Sequence, residues 1–272
     1  MLAETLAELG RQTRAPDRLV VCGAAAEDVA GIDPALAMLA PRGLTLQRNA
    51  VLGRLGDCDV VVFLDDDFLP APGFLAALEA AFLADPALVA ATGHVVADGI
   101  KGPGLSPAEG RALLAADLGP MAGARGVEVY NAYGCNMALR LAPLRAYGLA
   151  FDEALPLYAW YEDIDLCRRL APHGRIMKLP AARGVHLGVK AGRTSGLRLG
   201  YSQIANPVYL ARKGSYAWRR ALCSMARHLA INAVRALHPE PWVDRRGRLR
   251  GNFLALADLL RGRCEPGRIM GL

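Results

Sequence analysis

The chain has no Cys-x-x-Cys pair, no Cys/His run with zinc-ligand spacing, no signal-peptide pattern and no apolar stretch of membrane-spanning length. The first two absences exclude a zinc ribbon, a zinc finger and a thioredoxin-type redox motif. The lack of a long apolar run means that no helix is expected to cross a bilayer. Six cysteines (Cys22, Cys58, Cys135, Cys167, Cys223 and Cys264) are scattered without a disulfide framework. We therefore expect a reducing, cytoplasmic setting. Aromatic residues make up 6% of the chain, and no stacking platform or recognisable nucleic-acid module accompanies its basic residues, so nucleic acid is not expected as a partner. Internal repeats and low-complexity tracts are absent as well.

One scarcity is regional. Residues 168–272 hold 4 of the 26 acidic residues but 21 of the 32 Lys+Arg, whereas residues 1–167 hold 22 acidic against 11 basic. The net charge of +6 thus divides into local balances of about −11 and +17. An acidic first part fits a cation-binding edge. A basic second part fits an anionic partner such as a diphosphate or an anionic membrane surface. With 272 residues, 53% of them hydrophobic, the chain can bury a full core as one large domain or two small ones.

Periodicity gives an opening helix with Leu2, Leu6 and Leu9 on one face, closed by Gly10, then a short strand over Arg18–Cys22 and a small-residue turn. Strand Val60–Leu64, helix Gly73–Leu83, strand Leu88–Val96, a loop at Gly99–Pro107 and helix Ala108–Leu118 follow. Further strands are expected at Val127–Asn131, within Gly134–Arg140, at Arg175–Leu179 and at Gly184–Leu187, with a helix at Ile164–Leu170. Beyond Gly192 the chain turns helical over Leu197–Arg212, Tyr216–Leu237 and Asn252–Arg261, with a charge run at Arg245–Arg250. The βα alternation points to a parallel or mixed α/β sheet.

Val60–Leu64 runs directly into Asp65, Asp66 and Asp67. As a buried strand of a parallel sheet it would deliver these carboxylates to the rim where ligands bind. Alternation turns Asp65 and Asp67 to one side, and two converging carboxylates suit Mg²⁺ or Mn²⁺. Such a cation can hold a diphosphate. A solvated acidic turn is the competing reading.

Four other stretches accompany the triple Asp in a fixed order: Leu6 to Val21 with Gln12-Thr13; Gly43 with Gln47-Arg48-Asn49; Gly134-Cys135-Asn136-Met137-Ala138; and Trp160-Tyr161-Glu162-Asp163, with His186 beyond. Over about residues 2–195 this set resembles the inverting family 2 glycosyltransferases of the GT-A fold. The resemblance implies that Arg48, Asn49, Asp65 and Asp66 approach the donor nucleotide, Asp65 near the ribose or holding a metal-bound water. Asp67 and His186 would ligate the metal, and Gly134, Asn136 and Trp160 would line the acceptor side. Asp163, with Glu162 beside it, would supply the base of an inverting transfer. Arg193, in the Gly-punctuated segment Lys190 to Ser195, would clamp the diphosphate. Read without the resemblance, Glu162 and Asp163 fit equally as charges at a helix N-terminus, His186 as a strand histidine and Asn136 as a turn former.

In the family the fold begins with a strand, whereas Met1 here opens on the following helix. We expect that strand to be lacking and its two neighbours to be unpaired. Tyr216–Leu237 places Trp218, Leu222, Met225, Leu229 and Val234 among Arg219, Arg220, Arg227 and Arg235, the pattern of a basic amphipathic helix that can rest on the inner face of a membrane or pack against its own domain. The expectation is a GT-A, Rossmann-like mixed sheet flanked by helices over residues 1–195, with a basic helical extension over 196–272. Its activity would be metal-dependent transfer of a sugar from a nucleotide-sugar donor to a saccharide or lipid-linked acceptor, in polysaccharide or glycoconjugate assembly. A nucleotidyltransferase and a non-catalytic nucleotide-sugar-binding scaffold are the alternatives.

Overall fold

The computed structural model describes residues 1–121, 124–190 and 195–272. In chain order its main elements are α1 (Leu2–Leu9), β1 (Val21–Gly23), β2 (Ala37–Leu39), α2 (Leu44–Leu52), β3 (Val60–Leu64), β4 (Phe68–Pro70), α3 (Phe74–Ala84), β5 (Leu88–Asp98), α4 (Pro107–Ala116), β6 (Val127–Glu128), β7 (Asn136–Arg140), α5 (Leu141–Ala146), α6 (Glu162–Leu170), β8 (Arg175–His186), α7 (Gly196–Lys213), α8 (Trp218–Arg235) and α9 (Arg245–Leu260). The chain falls into two compact units, each assembled from separate stretches. Residues 196–272 group with Val20–Arg54 and Ala150–Leu166 in one of these units.

The first unit (Met1–Leu19, Leu55–Leu149 and Cys167–Ala191) contains a mixed sheet in the order β3-β7-β5-β8-β4, with β6 added on β8. β5 and β8 run parallel, and the remaining pairings are antiparallel. Val60–Leu64 was expected in a parallel sheet. Its one neighbour among the described residues, β7, is antiparallel, in register from Val60 opposite Arg140 to Leu64 opposite Asn136. Val61 and Phe63 are buried while Val60, Val62 and Leu64 are half-buried, as alternation in a strand covered more fully on one face requires. The core of this unit gathers Phe68, Phe74, Leu78, Phe82, Leu88, Ala138 and Ala182, so α3 is held by its apolar stripe rather than by a side-chain cap. Full burial of Phe74 and Leu78 is worth about 2–3 kcal/mol each.

Two expected strands, Arg175–Leu179 and Gly184–Leu187, are one 12-residue strand, β8. Pro180 cannot donate to a ladder, so it interrupts the pairing within β8. The sheet accommodates it with a register shift: Gly93 faces Leu179 and the next residue, His94, faces Arg183. The same pairing carries β5 and β8 together to their ends, where Asp98 lies opposite His186.

The second unit (Val20–Arg54, Ala150–Leu166 and Gly192–Leu272) contains the parallel pair β1-β2 and the helices α2, α7, α8 and α9. Among the described residues β1 pairs with β2 alone. Gly200 on α7 and Gly251 on α9 let these helices touch backbone to backbone, since a Cβ on Gly200 would lie 2.0 Å from the Arg248 carbonyl oxygen. Buried Tyr201 donates to Asp258, and Asn232, Gln203 and Asn252 share a hydrogen-bonded network across three helices. α9 begins seven residues before the expected Asn252, because the Asp244 side chain caps it by accepting from the Gly247 N–H, and the Arg245–Arg250 run is its first turns.

Candidate metal centre and acidic turn

In the first unit the turn after β3 brings Asp65 and Asp67 beside His186, the last residue of β8. One ligand atom from each lies within 4.8 Å of the others. His186 Nε2 is 3.3 Å from Asp67 Oδ1 and 4.0 Å from Asp65 Oδ2. Asp67 and His186 are buried, and Asp65 is half-buried. The other carboxylate oxygen of Asp67 accepts from the Val189 N–H at 2.8 Å, which fixes the group in place. Asp66 does not join this cluster. Its carbonyl accepts from the Thr5 hydroxyl, and partial desolvation, with the neighbouring Asp67 and Asp65 charges, raises its carboxyl above the ordinary range.

Behind the imidazole stands Asp98, whose Oδ1 lies 2.8 Å from His186 Nδ1. Asp98 also accepts from the Ile100 N–H and the Tyr133 hydroxyl. Burial works against the imidazolium of His186, yet hydrogen bonds and charges from Asp67 and Asp98 outweigh it and raise the pKa to about 9. Two carboxylate oxygens and one imidazole nitrogen, with a third carboxylate, Asp98, orienting the ring, form a donor set that fits Mn²⁺ or Mg²⁺. Gly188 permits the chain to turn here: its φ is +67° and a Cβ would lie 2.2 Å from the Ile100 nitrogen.

Gly134 is buried in the turn before β7. Asn136 is fully buried, its Oδ1 accepting from the Thr92 hydroxyl and the Gly93 N–H, so its side chain ties β7 to β5. Arg193 lies outside the described residues.

In the second unit, Arg48 on α2 donates to Glu162 at 2.7 Å, with both side chains at least nine-tenths buried. Asn49 is engaged at both ends of its amide, donating to the Phe151 carbonyl and Glu153 and accepting from the Phe151 N–H. Asp165, fully buried, accepts from Lys213 and Ser215. Of the three carboxylates in the first turn of α6, Asp163 is the one that is partly exposed, with Oδ1 accepting from the Ile164 N–H. The approach to this turn is strained: Leu157, Ala159 and Tyr161 have φ of 57°, 51° and 79°, a left-handed region rare for residues with a Cβ. Trp160 sits between Tyr158 and His228, with ring centroids at 6.0 and 5.7 Å.

No family model and no curated protein matches the sequence. Solved structures do match the fold. The crystal structure of GalNAc-T7 with UDP, GalNAc and Mn²⁺ superposes with a TM-score of 0.57 at 15% identity over 97% of this chain and 56% of that one. The mannosyltransferase PcManGT from Pyrobaculum calidifontis, in complex with GDP-Man and Mn²⁺, gives 0.52 at 19% identity over 98% and 80%. The fold is GT-A. The chain spans about half the length of the first of these structures.

Within this GT-A chain, Asp98 is the site residue that the sequence did not reveal. Its signal was the length of β5: carrying the apolar run Leu88–Val96 two residues further ends the strand on a carboxylate. Pairing with β8, which puts that carboxylate opposite His186, is not written in either segment.

Proposed function

We propose that this chain is a metal-dependent glycosyltransferase that moves a sugar from a nucleoside-diphosphate donor to a hydroxyl acceptor, with inversion at the anomeric carbon. The observation that carries the reading is the convergence of Asp65, Asp67 and His186 on one point of a GT-A fold. These three residues would hold Mn²⁺ or Mg²⁺, with Asp98 orienting the imidazole. When bound, the cation neutralises charge on the departing diphosphate. Asp163 is the base: its partial exposure leaves it able to accept the acceptor's hydroxyl proton, whereas Glu162 is committed to Arg48. Arg48 and Asn49 fix the segment 151–162 that precedes Asp163. The exposed Tyr158, beside Trp160, offers a ring face to the apolar side of a saccharide acceptor.

The test is calorimetric titration of the chain with UDP-, GDP- and dTDP-sugars, each with and without Mn²⁺. One donor is expected to bind in a Mn²⁺-dependent manner, and Asp67→Ala is expected to abolish that dependence. Donor affinity unchanged by Mn²⁺ and by Asp67→Ala would overturn the reading. Pyrophosphate exchange without sugar transfer would replace it with nucleotidyl transfer.

A further inference from the structure

α8 buries a small and polar face and leaves much of its apolar surface in water. Its inward face carries Ala221, Ser224, His228 and Asn232, with Ala221 and Asn232 buried and Ser224 and His228 in hydrogen-bond contact. Met225, Leu229 and Ile231 are half-buried, Met225 against the helical core, but four other large apolar residues point outward: Trp218 is 48% exposed, Leu222 54% and Val234 70%, and Leu237, in the turn that follows, 73%. At helical spacing Trp218, Leu222, Leu229, Ala233 and Leu237 form one stripe. Arg219, Arg220 and Arg227 are exposed on α8, as is Arg235, which pairs with Glu240, and α8 itself contains no acidic residue. Arg246, at the start of α9, adds another exposed cation beside its end by donating to the Ala236 carbonyl.

We infer that the outward face of α8 docks this protein on an anionic lipid surface, lying in the plane of the headgroups. Charge decides among the possible occupants. A second copy of the chain would bring arginines of one α8 against those of the other, with no carboxylate on the helix to meet them. A nucleic-acid backbone would neutralise the arginines but leave Leu222, Val234 and Leu237 in water. An anionic bilayer satisfies both: headgroups pair with the arginines, the aliphatic side chains enter the acyl boundary and Trp218 sits at the interface. No helix among the described residues is long and apolar enough to cross a membrane, so the contact is peripheral. The inference stands apart from the transferase reading, because it concerns where the protein sits and not what it catalyses.

The opposite side of the same helix holds the acidic turn: Ser224 shares a hydrogen bond with the Tyr161 hydroxyl and another with His228, and Tyr161 immediately precedes Glu162 and Asp163. A docked α8 would thus hold the acidic turn within one helix diameter, roughly 10 Å, of the lipid headgroups.

The experiment is co-sedimentation of the full chain with phosphatidylcholine vesicles, with and without phosphatidylglycerol. Binding is expected with phosphatidylglycerol, to weaken with salt, and to place Trp218 within reach of brominated acyl chains, a quenching that Trp218→Phe removes. Arg219→Glu with Arg227→Glu should lower the partition coefficient roughly tenfold or more. Leu222→Asp with Leu237→Asp should abolish binding while circular dichroism and thermal unfolding stay as in the parent, since all four positions are exposed. Equal binding to both vesicle types, binding indifferent to these substitutions, or no sedimentation at all would overturn the inference. So would self-association or DNA retention that the Leu222→Asp variant loses while vesicles are ignored.

Discussion

Breaking the Arg48–Glu162 pair separates a structural role for Glu162 from a catalytic one. The charges meet at 2.7 Å, with 5% and 8% of their side chains exposed. At an effective dielectric near 20 the gross attraction is on the order of 6 kcal/mol, and desolvation of the two ions offsets most of it. Removal of one partner leaves the other charge buried without the group that balances it at 2.7 Å, which costs about 3–5 kcal/mol. Glu162→Gln and Arg48→Met should therefore each lower the free energy of urea unfolding by about 3–5 kcal/mol. The double variant should lose less than the sum by about 2–3 kcal/mol, because it removes both charges of the pair together. Single costs that add to within about 0.5 kcal/mol would refute the pairing as an energetic unit and return Glu162 to the list of groups free to act on substrate.

Three further outcomes are expected. Asp98→Ala should weaken Mn²⁺ binding about 10–100-fold, measured as free Mn²⁺ by electron paramagnetic resonance, because Asp98 orients the His186 ring. Asp163→Asn should lower turnover about 10²–10⁴-fold and leave donor affinity unchanged in the titration above. Burial, reinforced by the Arg227, Arg248 and Arg245 charges, depresses the His228 pKa to about 4. The unfolded chain binds that proton first, so stability is full above about pH 6.5 and falls toward pH 4, by about 2 kcal/mol after allowance for partial exposure. His228→Gln should flatten the acid limb of the unfolding profile by that amount, and an unchanged limb would show that His228 is not the group responsible.

Much of the fold was legible because its local signals agree. Val60–Leu64 is a β-branched and aromatic run with an abrupt acidic end, and it forms the strand expected at those residues. Tyr216–Leu237 is amphipathic, and Trp218–Arg235 within it is helical, though its polar and small residues, not Trp218 or Leu222, line the buried face. Less legible were elements set by their partners. The three residues of β4 are a strand because β8 is there to pair with them, and Pro180 inside β8 reads as a terminator until the register shift absorbs it. α2 gives a weak sequence signal because Arg48, whose charge implies exposure, points inward to Glu162.

The candidate site divides in the same way. Sequence alone determined the chemistry on offer: three consecutive carboxylates after a strand, a histidine more than a hundred residues later and an acidic pair opening a helix, because residue type and spacing fix which hard ligands and bases a chain can present. Tertiary structure decided how each is used. The sheet register set Asp98 behind His186, and burial bound Glu162 to Arg48 while leaving Asp163 partly open. The outward turn of α8 was decided there too. These choices depend on which distant segments meet, and no local pattern encodes that, because pairing and burial are properties of two segments at once.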